Sequence, residues 1–188
     1  MSRIAIFIDG AYLDYALRDE FNSARIDYHA LAETLAGGID ILRTYYYHCL
    51  PYQSAKATTE EAQRFGGKQR FFDHLRRLPR FEVRLGNLAL RGRDEQGQPI
   101  LVQKQVDILL GVDLVLLAAR HQITHAALLA GDSDFLPAVT VAKAEGVLIH
   151  LFHGDVHKPH VSLWEACDER TVLTKDMIKR ILRKDKAR

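Results

Sequence analysis

Cysteine is scarce in this chain of 188 residues: Cys49 and Cys167 are the only two, and they lie far apart. The disulfide frameworks of small secreted domains need more cysteines at closer spacing, so the sequence excludes a scaffold of that kind. Two isolated thiols are instead typical of a protein in a reducing compartment. We therefore predict a cytoplasmic protein with free cysteines.

Long apolar runs are also missing. The first run, residues 4–8, is short and ends at Asp9, and no stretch approaches the ~20 residues that a membrane helix needs. We therefore expect no membrane partner. A hydrophobic fraction of 47% and a charged fraction of 27% are ordinary for a globular domain, and the chain is long enough to bury a proper core.

A strong net charge is lacking as well, but the net value of +2 conceals an uneven distribution. Residues 64–93 hold nine Arg and Lys against two acids, whereas residues 1–63 hold five against nine. A basic surface beside an acidic centre suits a phosphate-rich polymer. We predict that Arg76, Arg77 and Arg80 hold the backbone of such a polymer electrostatically.

Short apolar runs alternate with helical patterns along the chain, which predicts an α/β fold with a mainly parallel sheet. Predicted strands occupy residues 3–8, 39–50, 81–91, 100–103, 125–130 and 147–152. Predicted helices occupy residues 11–21, 27–36, 59–78, 105–121, 134–145, 161–168 and 175–185. We divide the chain into one domain at residues 1–160 and a helical extension at residues 161–188, packed on or trailing that domain.

Acidic residues follow two of the predicted strands. Asp9 ends the first strand, and Asp132 and Asp134 come directly after the strand at residues 125–130. If these strands are neighbours at the switch point of the sheet, their carboxylates converge. Two carboxylates ~4 Å apart repel by about 4 kcal/mol at an effective dielectric constant near 20, so such a group needs protonation or a bound cation.

The helix predicted at residues 105–121 adds two more acids, Asp107 and Asp113, to an otherwise apolar sequence. Because this helix is apolar on every face, we expect it to be buried and the charge of Asp113 to be compensated. The two acids lie about 120° apart around the helix, so they need not bind the same ion. Ligation by oxygen alone selects hard ions, Mg²⁺ or Mn²⁺, over zinc.

Each acid also has a purely structural explanation. Asp132 or Asp134 could cap the following helix, and Asp107 could complement a helix dipole. Asp9 could belong to a turn, and Ser133 could contact a phosphate or, as we expect, cap the helix. Because three independent elements place acids in this pattern, a functional site formed by these acids explains the pattern better than separate structural roles do.

Three motifs together carry a family resemblance. Phe7-Ile8-Asp9-Gly10, then Lys104-Gln105-Val106-Asp107 with Asp113, then Gly131-Asp132-Ser133-Asp134-Phe135 resemble the NYN domain family of the PIN-like nuclease superfamily. The resemblance spans roughly residues 3–153. It implies a three-layer α/β/α PIN-like domain whose mainly parallel sheet has the strand order 3-2-1-4-5.

The resemblance also implies a divalent-metal-dependent ribonuclease, most simply an endoribonuclease, with Mg²⁺ or Mn²⁺ as cofactor and RNA as partner. The acids at matching positions, expected to be catalytic and metal-binding, are Asp9, Asp113, Asp132 and Asp134, with Asp107 as a further metal ligand. Lys104 and Ser133 are expected near the substrate. Tyr12 stands where many members have Asn, at a position associated with substrate or water positioning.

Three alternatives remain open. A phosphatase with an aspartyl nucleophile normally needs a second acid two residues after the first, and position 11 is Ala. A binding module could hold metal and RNA, or recruit a protein, without efficient cleavage. The basic C-terminal helix could bind RNA or a second copy of the chain, so a homodimer is an open possibility.

Overall fold

The computed structural model describes residues 2–54, 56–94, 96 and 99–184. The strands are β1 (Arg3–Asp9), β2 (Asp40–Cys49), β3 (Phe81–Arg93), β4 (Pro99–Lys104), β5 (His125–Leu129), β6 (Leu148–His153) and β7 (Glu169–Val172). The helices are α1 (Gly10–Glu20), α2 (Tyr28–Ala36), α3 (Thr59–Arg76), α4 (Val106–Ala119), α5 (Leu136–Ala144), α6 (Val161–Ala166) and α7 (Lys175–Arg180). A 3₁₀ turn at Ser133–Phe135 leads into α5.

The described strands form one sheet in the order β4-β3-β2-β1-β5-β6-β7. All neighbouring pairs are parallel except β3 and β4, which form an antiparallel hairpin. The predicted mainly parallel α/β class is confirmed. The five central parallel strands lie in the order β3-β2-β1-β5-β6, which is the expected order 3-2-1-4-5 when the antiparallel strand β4 is left out of the numbering. The full sheet differs in detail because β4 and β7 extend its two edges.

Two hydrophobic cores lie on opposite faces of the sheet. Along β1, Ala5 and Phe7 pack into one core with α4 and α5, whereas Ile6 and Ile8 pack into the other with α1, α2 and α3. The alternation follows from the two-residue period of a strand. Because β1 is buried on both faces, its sequence is a continuous apolar run that ends only where the chain reaches the edge of the sheet.

The predicted helical extension at residues 161–188 is not entirely helical. Glu169–Val172 forms β7 and pairs with β6, and α7 ends at Arg180, before the predicted end at residue 185. The strand is only four residues long and shows no clear apolar alternation, so its sequence gave little indication of it. Leu163 and Ile178 are buried in the two cores. Helices α6 and α7 therefore each contribute a buried side chain to these cores.

The expectation that α4 is buried all round is wrong. Leu110, Leu114 and Leu117 face the core, but Ile108 and Val112 are 67% and 57% exposed. A helix in an outer layer of a three-layer fold has one face on the sheet and one towards solvent, whatever its composition. An apolar sequence alone therefore did not determine burial.

Cys49 and Cys167 are both buried, and neither forms a disulfide within the described residues. Within the described residues, no helix combines the length and apolar character needed to cross a membrane.

Candidate functional site

The carboxyl ends of β1 and β5 meet at one edge of the sheet. Ile8 of β1 pairs with Leu129 of β5, and the chain continues from these positions to Asp9 and to Asp132. Both aspartates line the same open groove of about 500 Å³. The sheet order thus brings the two strand-end acids together at the switch point, where α/β folds bind ligands.

Asp9 is held in place as the N-cap of α1. Its Oδ1 accepts hydrogen bonds from the backbone N–H of Ala11 at 3.0 Å and of Tyr12 at 3.2 Å. Gly10 allows this turn because a Cβ there would lie 2.5 Å from the ring of Tyr46. The capping role and a chemical role are compatible, since Oδ2 of Asp9 accepts no hydrogen bond from the described residues.

Asp132 has the same capping role after β5. It is the N-cap of the 3₁₀ turn, and its Oδ1 accepts a hydrogen bond from the backbone N–H of Asp134 at 3.0 Å. The predicted cap, Ser133, instead lines the groove. A cap fixes one carboxylate oxygen and leaves the other available to a ligand.

Asp107, in the first turn of α4, completes the group. Burial raises the pKa of Asp107, and the charges of Asp132 and Asp134 raise it further. Burial also raises the pKa of Asp9 to about 6, with Asp107 contributing. We call these four residues the aspartate cluster: Asp9, Asp107, Asp132 and Asp134. No described Lys, Arg or His forms an ion pair with any of them.

Asp113 has different surroundings. Its Oδ2 accepts a hydrogen bond from the hydroxyl of Tyr47 at 2.9 Å and forms an ion pair with Nε of Arg84 at 3.1 Å. It lies nearly two helical turns after Asp107 in α4, about 9 Å along the axis. The compensation expected for this carboxylate therefore comes from a neighbouring arginine, and the structure does not bring Asp113 into the aspartate cluster.

Tyr12 anchors a loop that also lines the groove. Its hydroxyl donates to the backbone carbonyl of His157 at 2.5 Å and accepts from the backbone N–H of Gly154 at 3.0 Å. Its ring packs on Gly131, where a Cβ would come within 2.5 Å of Cε2. Burial raises the pKa of Tyr12 to about 12, so the hydroxyl stays protonated at neutral pH. The residue positions a loop rather than offering a free polar group.

That loop supplies groove residues that were not among the predicted site residues. His157, Lys158 and His160 line the same groove as Asp9 and Asp132. One signal was available, because residues that follow a parallel strand lie at its carboxyl edge, and this loop follows β6. The contact that fixes the loop, from Tyr12, spans 145 residues and is not visible in local sequence.

The predicted RNA-binding arginines lie at the other edge of the sheet. In a parallel sheet a helix returns to the starting edge, so the end of α3 lies near the start of β3. Arg76 forms an ion pair with Asp73, and Arg80 forms one with Asp40 at the start of β2, both at 2.9 Å. The structure thus separates Arg76, Arg77 and Arg80 from the aspartate cluster.

Lys104 can be located only through its backbone. It is the last residue of β4 and pairs with Asn87 of β3, and α4 follows directly. The prediction for its side chain lies outside the described residues.

The fit of a divalent cation can be judged from the donors present. Among the described side chains, no three His, Cys, Asp or Glu groups form a preassembled metal cage. Mg²⁺ commonly keeps several waters and binds through one or two carboxylates together with substrate phosphates, so a closed cage is not required. The hard oxygen donors and the excess negative charge of the aspartate cluster fit such a hydrated ion.

Comparison with known families agrees with this geometry. The sequence matches the NYN domain across residues 3–174, which is nearly its whole length. The chain belongs to the NYN domain family. NYN domains are part of the PIN-like nuclease superfamily and are generally nucleases, so the chain has a nuclease-like fold. No match was found among curated proteins.

Solved structures support the fold. A protein of unknown function from Vibrio parahaemolyticus superposes with a TM-score of 0.65 at 19% identity, covering 93% of this chain and 94% of that one. A nicotinic acid mononucleotide adenylyltransferase from Plasmodium falciparum, complexed with NaAD, gives a TM-score of 0.35 at 8% identity over 95% and 80% of the two chains. That second similarity is too low to bear on fold or function.

Proposed function

We propose that this NYN domain is a divalent-metal-dependent ribonuclease that cleaves RNA internally at the aspartate cluster. One observation carries the proposal: Asp9 and Asp132, two members of a carboxylate cluster without a cationic side-chain partner among the described residues, line an open groove together with Lys158. Repulsion within the cluster favours a ligand that brings positive charge, and the lysine favours one that brings phosphate.

The acids would divide the work between binding the ion and orienting the attacking water. Asp9, Asp107 and Asp132 would hold the divalent ion, which when bound activates a water molecule and neutralises charge on the scissile phosphate. Asp134 is exposed, as Asp132 is, and its carboxylate would accept a hydrogen bond from the attacking water. Asp113 is engaged with Arg84 and supports the packing of α4 on the sheet.

The groove would hold the strand through charge and stacking. Lys158, with His157 and His160 beside it, contacts the phosphates in place of the distant arginines. Tyr15 lines the same groove with half of its surface exposed and offers a ring on which a base can stack. An open groove of this kind suits a polymer better than a small molecule, which is usually enclosed.

The second candidate is an RNA- or protein-binding module with weak cleavage. It is favoured by one observation, the lack of a preassembled three-residue metal cage among the described side chains. The two candidates differ in one measurable property, because a binding module retains RNA without cutting it.

Cleavage assays with matched variants test the proposal. Single-stranded RNA, double-stranded RNA and single-stranded DNA of one sequence are incubated with Mg²⁺, Mn²⁺ or EDTA. Asp9→Asn removes a charge but keeps a good N-cap. The matched control is Asp27→Asn, because Asp27 caps α2 through two backbone amides in the same way.

We expect metal-dependent cutting of RNA by wild type and by Asp27→Asn. Asp9→Asn should cut roughly 10²–10³-fold more slowly, the range typical of losing a group that stabilises transition-state charge. Cleavage that is insensitive to EDTA, or that Asp9→Asn catalyses at the wild-type rate, would sink the proposal. Tight RNA binding by wild type without any cleavage would favour the binding module.

A further inference from the structure

A second cavity lies on the flank of the molecule and shares no lining residue with the groove of the aspartate cluster. It has a volume of about 380 Å³ and is bounded by α1, α2, α3 and the segment that follows α7. Its distinctive lining residues are three arginines and two aromatic side chains: Arg18, Arg25, Arg183, Tyr28 and Phe71.

Two of these arginines are held opposite each other by the backbone. Ile26 and Leu182 form an isolated antiparallel bridge, and the N–H of Arg183 donates to the carbonyl of Arg25 at 2.9 Å. Arg25 and Arg183 are therefore directly opposed cross-strand neighbours, an arrangement in which like charges destabilise the pair. Among residues 2–184 that the structure describes, neither guanidinium has a carboxylate partner.

The other charges around the cavity are already neutralised. Asp14 lines it, but its Oδ2 accepts from Nζ of Lys68 at 2.7 Å and lies 3.1 Å from Nε2 of His48. Arg18 forms an ion pair with Asp19 at 2.6 Å. The unpaired charge at the cavity is therefore the positive charge of Arg25 and Arg183.

The aromatic wall suggests which anion fits. Tyr28 and Phe71 pack edge to face with ring centroids 5.2 Å apart. Arginines that bind phosphate beside aromatic rings that stack bases are the usual combination in single-strand binding sites. We propose that this cavity is an accessory RNA site in which Arg25 and Arg183 hold one phosphate of the substrate strand; this inference rests on the proposed function.

Helix α1 connects the two sites. Asp9 precedes its first turn and Arg18 lies in its last turn, about 14 Å away along the axis, a distance that a few nucleotides span. Tyr15 lines the groove and Arg18 lines the cavity, and the guanidinium of Arg18 lies 5.0 Å from the ring centroid of Tyr15. The strand crosses this ridge on its way from the groove to the cavity.

Binding measured without cleavage tests the site. A fluorescein-labelled single-stranded RNA is titrated in EDTA at several salt concentrations, followed by fluorescence anisotropy. The variant is R25Q/R183Q, with the single variants beside it. The control is R3Q/R120Q, which removes the same charge at two exposed arginines that line neither site.

We expect R25Q/R183Q to bind RNA about tenfold more weakly, with the slope of log K against log salt reduced by about 0.7, as for one lost phosphate contact. The single variants should lie between, and the control should bind within twofold of wild type. Without RNA, the melting temperature of R25Q/R183Q should equal or exceed that of wild type, since a repulsive pair has gone. In cleavage, KM should rise while kcat is unchanged.

Unchanged affinity and salt slope in R25Q/R183Q would overturn the accessory site, and so would equal weakening in the control. Polyglutamate that binds wild type as tightly as RNA, with the same dependence on Arg25 and Arg183, would overturn the assignment to RNA. A wild-type protein that shows the predicted binding but never cleaves RNA would leave this site standing and refute the proposed ribonuclease. The two failures are therefore distinguishable.

Discussion

The two edges of the parallel sheet differ in whether their acidic side chains form ion pairs. At the amino edge Asp40 pairs with Arg80, Glu82 with Arg43, and Asp73 with Arg76. At the carboxyl edge no described cationic side chain pairs with any member of the aspartate cluster. Exposed ion pairs add little stability, so the contrast concerns chemistry more than folding. The acids at one edge are neutralised by neighbouring side chains, and the aspartate cluster at the other edge has no such partner among the described residues.

Asp113 sharpens this comparison because it shares α4 with Asp107 but has the pairing seen at the amino edge. Its ion pair with Arg84 is partly buried, with side-chain exposures of 15% for the acid and 38% for the arginine. The largest expected effect is therefore that substitution of Asp132 lowers activity, whereas substitution of Asp113 lowers stability.

Asp132→Asn should lower single-turnover RNA cleavage by roughly 10²–10³-fold, because a charge in the cluster is lost. Asp113→Asn should instead destabilise the fold by about 1–3 kcal/mol, since it breaks a partly buried pair, while cleavage of the folded protein stays within a few-fold of wild type. Urea unfolding and cleavage rates on both variants check this. A stable but inactive Asp113→Asn protein would instead place Asp113 in the chemistry.

The second effect is a dependence of stability on pH. Burial raises the pKa of Asp9 from 3.8 to about 6, so the folded state binds a proton more tightly than the unfolded state. This carboxyl should therefore cost stability as pH rises from about 4 to about 6, by at most about 3 kcal/mol. Asp9→Asn should be more stable than wild type above pH 6, with the advantage shrinking towards pH 4.

Urea unfolding in EDTA between pH 4 and 8 measures that advantage, with Asp27→Asn as control for the loss of a capping charge. A stability difference between Asp9→Asn and wild type that does not vary with pH would show that folding does not raise the pKa of Asp9.

The smallest effect concerns the groove loop at residues 154–160, which Tyr12 anchors. Tyr12→Phe removes the hydroxyl that bonds to His157 and Gly154, and should cost about 1–2 kcal/mol of stability. Because the loop presents Lys158, RNA affinity should fall by a few-fold with little change in the single-turnover rate. Hydrogen exchange of residues 154–160 checks the cause, since protection should fall there first. Unchanged protection in that loop would contradict the anchoring role.

Local sequence accounted for much of the cluster. Asp9 and Asp132 could be predicted to converge because each follows an apolar strand, and strand ends of a parallel sheet share an edge. In the structure each cap uses one carboxylate oxygen, so the capping explanation does not exclude a further role for the other oxygen.

Other features depended on contacts that local sequence does not contain. Arg84, the ion-pair partner of Asp113, is 29 residues away in β3. Tyr12, which anchors the groove loop, is 145 residues from His157. The position of Arg76, Arg77 and Arg80 is a different case. The length and return direction of α3 require its end to lie at the amino edge, so topology, and not the local number of charges, determines which edge these arginines occupy.

The most direct test of the account is whether the aspartate cluster binds a divalent cation. Thermal melts above pH 6 with and without millimolar Mn²⁺ measure it, because an ion that binds only the folded state raises the melting temperature. We predict a clear rise for wild type and for Asp27→Asn, and a much smaller one for Asp132→Asn. A wild-type melting temperature unaffected by Mn²⁺, or an equal rise in Asp132→Asn, would contradict the account.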